Sequence, residues 1–148
     1  MSNAPVIVLD TSVAAKWYLL DEELQVEALS VHAAFDQGHI SVTMPDVARY
    51  ELANALNVAR KRARIGEDEA RQAIADFLAW DFTYVGTDDL ILAAVDAARR
   101  FDCALYDALC LALAESLSCN FVTADRVLFD KARAAVSWVT WLGDYGRG

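Results

Sequence analysis

The chain has 148 residues, 56% of them hydrophobic, and its 22 acidic and 13 basic residues give a net charge of −9. This length and hydrophobic content suit one domain with a single buried core and exclude an intrinsically disordered chain. The negative charge argues against broad non-specific affinity for nucleic acid, and no apolar run approaches the ~18 residues of a membrane span.

The hydrophobic pattern predicts strands that alternate with helices along the whole chain. Val6–Leu9 is typical of a strand buried on both faces near the middle of a parallel sheet. Further strands are predicted at Ile40–Met44, Phe82–Val85, Asn120–Thr123 and Ser137–Trp141. Helices are predicted at Val13–Leu20, Glu23–Phe35, Val47–Arg64, Asp68–Ala79, Leu90–Phe101, Leu105–Leu117 and Arg126–Ala134, followed by a loose tail from Gly143 to Gly148. Because parallel strands need crossover connections, this order predicts an α/β fold with a mainly parallel five-stranded sheet and helices on both faces.

Two carboxylates follow predicted strands at the place where open α/β sheets bind ligands. Asp10 comes directly after the first strand, and Asp125 comes two positions after Thr123. Each residue is equally suited to cap the helix that follows it, so neither is diagnostic alone. The repetition of the arrangement at two strand ends favours a shared site.

Two further carboxylates interrupt apolar helical patterns. Glu51 falls on one predicted helical stripe with Val47, Ala55 and Val58, which we expect to face inward unless a local ion pair holds Glu51 at the flank. Asp107 is surrounded by apolar residues and is either a helix N-cap or a buried carboxylate that needs a partner. Four acids in one place repel one another unless cations lie between them, and an all-oxygen ligand set suits Mg²⁺ or Mn²⁺.

Four short segments carry a family resemblance. Leu9–Ser12, Glu51 within Tyr50–Leu56, Tyr106–Leu109 and Val122–Arg126 resemble the four motifs of PIN-domain ribonucleases, and in particular of VapC-like toxins from bacterial and archaeal toxin–antitoxin pairs. The motifs occur in the family's order and spacing over nearly the whole chain. The resemblance implies a single PIN domain over residues 1–148, an α/β/α sandwich with endoribonuclease activity that depends on Mg²⁺ or Mn²⁺. It also implies a homodimer and inhibition by a cognate VapB-like antitoxin.

On this interpretation the four acids are the catalytic and metal-holding residues, binding one or two cations directly or through water: Asp10, Glu51, Asp107 and Asp125. Three hydroxyl residues, Thr11, Ser12 and Thr123, are expected to orient the carboxylates and waters. A basic run could steer RNA phosphates or could simply suit the negative end of a helix dipole: Arg60, Lys61, Arg62 and Arg64. We expect the antitoxin to occupy a groove between the predicted helices of residues 13–35 and 47–64.

Other classes fit less well. A receiver-like phosphoacceptor should have paired acids after its first strand and a Lys after its last, and a haloacid-dehalogenase-type phosphatase needs Asp-x-Asp where residue 12 is Ser. A non-catalytic PIN-fold module that binds RNA or protein remains the alternative. Three cysteines without a C-x-x-C pair indicate reduced thiols in a cytoplasmic protein, and the start of the chain does not resemble a signal peptide. The two histidines are too far apart for a zinc site.

Overall fold

The computed structural model describes residues 3–146. Its five strands are β1 (Val6–Leu9), β2 (Ser41–Pro45), β3 (Thr83–Val85), β4 (Asn120–Thr123) and β5 (Val139–Trp141). They form one sheet in the order β3-β2-β1-β4-β5, and every neighbouring pair is parallel. The predicted five-stranded parallel sheet is therefore confirmed, with β1 at its centre.

Seven helices connect the strands: α1 (Thr11–Ala15), α2 (Gln25–Asp36), α3 (Ala48–Lys61), α4 (Glu67–Ala79), α5 (Ile91–Phe101), α6 (Leu105–Leu117) and α7 (Arg126–Arg133). Two 3₁₀ turns, Thr87–Asp89 and Leu142–Asp144, complete the regular structure. Among residues 3–146, no helix combines the length and apolar character that crossing a membrane requires.

Apolar side chains of the central strand alternate between two cores, one on each face of the sheet. Ile7 and Leu9 pack with residues of α1 to α4, whereas Val8 packs with residues of α5 to α7. This is the period of two that a strand buried on both faces must have. The result is the α/β/α sandwich expected from the sequence.

The first helix ends five residues earlier than predicted, at Ala15 instead of Leu20. The chain then tightens into turns in which Trp17 N donates to Ala14 O. These turns bury Trp17 and Leu19, and the Trp17 indole N–H donates to Ala28 O at 2.8 Å. A buried indole usually has a hydrogen-bond partner, and here that partner lies on α2. We infer that this contact outweighs the weak helix propensity that would extend α1 beyond Ala15.

The predicted loose tail is wrong for residues 143–146. Leu142 and Gly143 are buried in the second 3₁₀ turn, and Tyr145 packs against the core on the α1–α4 side. A Cβ on Gly143 would lie within 2.2 Å of the Trp141 indole, so only glycine lets that ring lie over the turn. Residues 147 and 148 lie outside the described residues.

Candidate active site

The sheet topology places the ends of β1 and β4 side by side. Leu9 pairs with Val122, and Asp10 N donates to Val122 O at 3.0 Å. Asp10 and Asp125 therefore reach the same carboxyl edge of the sheet from neighbouring strands. This is the position at which α/β folds place ligands.

Asp10 is buried, with 8% of its surface exposed, and its carboxylate is held from two sides. Asp10 Oδ2 accepts hydrogen bonds from Thr123 Oγ1 at 2.7 Å and Ser12 Oγ at 2.9 Å. The residue occupies the N-cap position of α1, but its side chain accepts no capping bond from the helix. Burial raises the pKa of the Asp10 carboxyl, and the two hydroxyl donors oppose that rise. The alternative of a plain helix cap is therefore wrong for Asp10.

The two hydroxyls that hold Asp10 are themselves fixed by backbone amides. Ala124 N donates to Ser12 Oγ at 3.1 Å, and Asp125 N donates to Thr123 Oγ1 at 3.0 Å. Thr11 is also buried, but across the part of the chain that the structure describes its hydroxyl takes no part in this network. Of the three predicted hydroxyl residues, two contact Asp10.

Asp125 is both a helix cap and a neighbour of the other acids. Its Oδ1 accepts a hydrogen bond from Leu128 N at 3.1 Å at the start of α7, as the cap alternative required. Its charge also raises the pKa of Asp10 and of Asp107. Capping fixes the carboxylate at the edge of the site and leaves its second oxygen without a capping bond.

Glu51 lies beside the buried stripe of α3 and not on it. The buried residues of this helix are Ala48, Leu52, Leu56 and Ala59, so the predicted inward stripe was wrong by one position. Burial raises the pKa of the half-buried Glu51 carboxyl to about 7, and the charges of Asp10 and Asp107 add to the rise. Within residues 3–146 Glu51 has no ion-pair partner, and the guanidinium of nearby Arg49 lies over the Tyr84 ring.

Asp107 is the third residue of α6, three positions after the N-cap residue Ala104, so the N-cap alternative is wrong. Burial raises the pKa of its carboxyl to about 6, and the charges of Asp10 and Asp125 contribute. The charge of Lys131 opposes this rise, and no sequence pattern predicts that residue as part of the site. Its Nζ donates to Asp102 O at 2.6 Å, which fixes the ammonium on the Asp107 side of the site.

The four acids thus lie close enough to affect one another's pKa values, and little positive charge lies near them. Asp10, Asp107 and Asp125 each raise the pKa of at least one other acid of the set, and among the described residues Lys131 is the one cation that opposes these rises. Among the described residues, no three His, Cys, Asp or Glu side chains already meet as ligands of one ion. Because Mg²⁺ usually keeps several of its waters, the donor set fits a divalent cation held partly through water.

The basic run at the end of α3 is not brought to the acids. Arg60 lies nine residues from Glu51, roughly 13 Å along the helix axis. It donates to Asn57 Oδ1 at 2.9 Å, and Arg64 pairs with Asp21 at 2.7 Å and Glu22 at 3.1 Å. Lys61 and Arg62 are exposed. Arg64, just after α3, therefore forms ion pairs with the segment that precedes α2.

Comparisons with known proteins agree with this architecture. The sequence matches the family described as PIN domain over residues 7–134. Ribonuclease VapC3 of Pyrobaculum aerophilum is 28% identical over 135 residues, which are 88% of this chain and 98% of that protein.

Two solved structures share the fold. VapC20 of Mycobacterium tuberculosis, described as a toxin that cleaves the sarcin–ricin loop, has a TM-score of 0.66 at 21% identity, over 90% of this chain and 98% of its own. PAE2754 from Pyrobaculum aerophilum has a TM-score of 0.62 at 19% identity, over 97% of this chain and 93% of its own.

Proposed function

This chain belongs to the PIN-domain family, and from that premise we propose that it is a divalent-metal-dependent endoribonuclease, the toxin of a toxin–antitoxin pair. The observation that carries the proposal is the gathering of four carboxylates, with one nearby cation, at the carboxyl edge of β1 and β4. The similarity to Ribonuclease VapC3 over nearly the whole of both chains supports RNA as the substrate.

In the proposed mechanism Asp10, Glu51, Asp107 and Asp125 hold one or two Mg²⁺ or Mn²⁺ ions. When bound, such an ion supplies the charge that activates a water and offsets that of the scissile phosphate. Ser12 and Thr123 both donate to Asp10 Oδ2 and so fix the carboxylate in one orientation. The buried Asp10 anchors the set, while the half-buried Glu51 and Asp107 face the solvent through which RNA arrives.

No histidine is placed to act as a general base. His32 lies between the rings of Trp17 and Trp80, with centroids at 4.9 and 4.4 Å, and His39 is exposed after α2. Burial lowers the pKa of His32, in keeping with a neutral ring packed in an aromatic cluster. Proton removal from the attacking water would therefore fall to the carboxylates of this site.

The test is cleavage of a labelled single-stranded RNA by the purified protein. We expect discrete internal cuts with Mg²⁺ or Mn²⁺, no cuts with EDTA, and full recovery when excess metal is restored. Cleavage that persists in EDTA would contradict the metal requirement. RNA binding without cleavage under every metal condition would instead support the non-catalytic PIN-fold module.

We further propose that the cognate VapB-like antitoxin binds an aromatic groove of about 420 Å³ on the outer surface. The groove is lined by Trp17, Tyr18, Leu29, His32, Asp76, Ala79 and Trp80. Its walls are the segment from Trp17 to His32 and helix α4, whereas the sequence analysis predicted a groove between residues 13–35 and 47–64. An apolar floor with Asp76 at its edge suits an amphipathic segment that carries a basic side chain.

Replacing Leu29 by Glu should weaken antitoxin binding at least tenfold, because a carboxylate would be buried against Trp17 and Trp80 when the groove is filled. Isothermal titration against the antitoxin encoded beside this gene measures the effect. Leu78→Glu is the matched control, since Leu78 is exposed on α4 and lies outside the groove lining. Equal affinities of the two variants and the wild type would exclude this groove.

The second proposed interaction is a homodimer, and an exposed apolar surface on α5 supports it. Helix α5 exposes Ile91, Leu92 and Val95, with Leu92 80% exposed. Contiguous exposed apolar surface of this kind marks protein interfaces. We propose that α5 contributes to the contact between two copies of this chain.

A further inference from the structure

A second groove adjoins the acidic site. Its volume is about 590 Å³, within the range of small-molecule clefts. It is lined by Val47, Tyr50, Glu51, Asn54, Ala55 and Tyr106. Glu51 belongs both to this groove and to the set of four acids, so a ligand in the groove lies next to the site of cleavage.

Two exposed tyrosines flank this groove from different helices. Tyr50 is 73% exposed on α3, and Tyr106 is 59% exposed on α6. Each directly precedes an acid of the site, Glu51 or Asp107. Because neighbouring helical residues point about 100° apart, each tyrosine points away from the acid that follows it, and both tyrosines line the groove.

The chemistry of the lining favours a neutral, planar ligand. Among the described residues that line the groove there is no Lys or Arg, and Glu51 is the one acidic group, so a phosphate would gain no favourable charge here. Tyrosine rings are the platforms on which proteins stack unpaired bases of single-stranded RNA. The Asn54 amide, one helical turn after Tyr50, offers both a donor and an acceptor to the edge of a base.

We propose that Tyr50 and Tyr106 bind a nucleobase of single-stranded RNA immediately next to the scissile phosphate, with Asn54 contacting the edge of that base. The proposal rests on the proposed ribonuclease function and adds the residues that select the cleavage position. The phosphate binds at the four acids, and the neighbouring base enters the groove. The continuity of the two surfaces through Glu51 is what joins these contacts.

The test pairs protein variants with RNA substrates that lack one base. A short RNA with a single cleavage position is compared with two copies that carry an abasic nucleotide on one or the other side of the cut. Tyr50→Ala and Tyr106→Ala should each lower kcat/KM about tenfold on the intact RNA, as expected for one stacked base. On the abasic RNA that matches the groove, the same variants should cleave as well as the wild-type protein does.

Conservative variants and a control identify the cause. Tyr50→Phe and Tyr106→Phe keep the ring and should retain wild-type kcat/KM, whereas Tyr50→Leu and Tyr106→Leu keep apolar bulk and should not. Leu78→Ala, which truncates another exposed side chain on α4, should leave kcat/KM unchanged. Thermal melting of every variant verifies that it is folded.

Three outcomes would overturn the inference. An equal loss on intact and abasic RNA would show that the tyrosines act without a base. Conversion of a dimer to a monomer by either Tyr→Ala variant, measured by light scattering, would make the groove an interface between copies. Normal cleavage by both Tyr→Ala variants on the intact RNA would show that the tyrosines do not contribute, and would leave the proposed ribonuclease function in place. Absence of cleavage by the wild-type protein with Mg²⁺ or Mn²⁺ is a separate result, which would contradict the proposed function itself.

Discussion

Asp10→Asn should lower kcat/KM for RNA cleavage at least ~100-fold, a loss of about 2.7 kcal/mol in transition-state stabilisation. The amide keeps the shape of the carboxylate but removes the charge that a divalent cation needs. It also disturbs the two hydroxyls, since Ser12 and Thr123 both donate to the same oxygen, Asp10 Oδ2. Asp107→Asn should lose activity on the same scale.

The measurement requires protein free of contaminating nucleases, so variants and wild type are purified in parallel and assayed with EDTA and with Mg²⁺ or Mn²⁺. Metal should restore the EDTA-treated wild type and leave both variants inactive. Asp96→Asn, an exposed acid on α5, removes the same charge away from the site and should retain full activity. Undiminished cleavage by Asp10→Asn would remove the four acids from the mechanism.

The central position of β1 could be predicted because a strand that is buried on both faces has a simple sequence pattern. Three β-branched residues in Val6–Leu9 mark a strand covered on both sides, and helices between strands require parallel pairing. The order β3-β2-β1-β4-β5 itself is a tertiary property. It depends on which helices cover each face, and local periodicity does not record that choice.

The wrong predictions for the end of α1 and for the tail concern segments in which one side chain determines the backbone conformation. The indole of Trp17 ends α1 early by binding Ala28 O, and the Trp141 ring closes over Gly143 to order the predicted tail. Both contacts join residues that a helical or strand pattern treats as unrelated. The stripe error at Glu51 is smaller, since a rotation of one residue moves a side chain by about 100° and sequence alone does not fix the rotation.

Sequence could nominate the four acids but could not separate caps from site residues. Asp10 and Asp125 both precede helices, yet only Asp125 accepts a capping bond. The difference arises because the Asp10 carboxylate accepts hydrogen bonds from Ser12, two residues later in α1, and from Thr123 at the end of β4, 113 residues away. Lys131 could not be predicted as part of the site, because its position near Asp107 depends on how α7 packs in the fold.

The metal-free protein should gain stability when one of the crowded acids is neutralised. The pKa values of Glu51, about 7, and Asp107, about 6, lie above their ordinary values because burial and the neighbouring carboxylates disfavour the charged forms. The folded protein therefore binds protons that the unfolded chain has released between about pH 4 and pH 7. The contribution of these two acids to the free energy of unfolding is therefore greatest below that window, and it is lost as the pH rises through the folded pKa values.

At pH 8 and without metal, Glu51→Gln and Asp107→Asn should each raise the free energy of unfolding by about 1–2 kcal/mol, after discounting for partial solvation. At pH 4.5, near the lower end of that window, the same variants should lie much closer to the wild type, because the acids are then protonated in the folded protein and only partly ionised in the unfolded chain. Excess Mg²⁺ should stabilise the wild type at pH 8 and narrow the gap, since an ion that binds only the folded state favours it.

Thermal and urea unfolding in EDTA at both pH values measures these differences, with Asp96→Asn as the control for the change in net charge. That control should shift the unfolding free energy by less than about 0.5 kcal/mol, the usual range for surface substitutions. Superimposable curves for wild type, Glu51→Gln and Asp107→Asn at pH 8 would mean that the carboxylates do not repel one another. The acids would then be ordinary surface groups, and the cause assigned to their raised pKa values would be wrong.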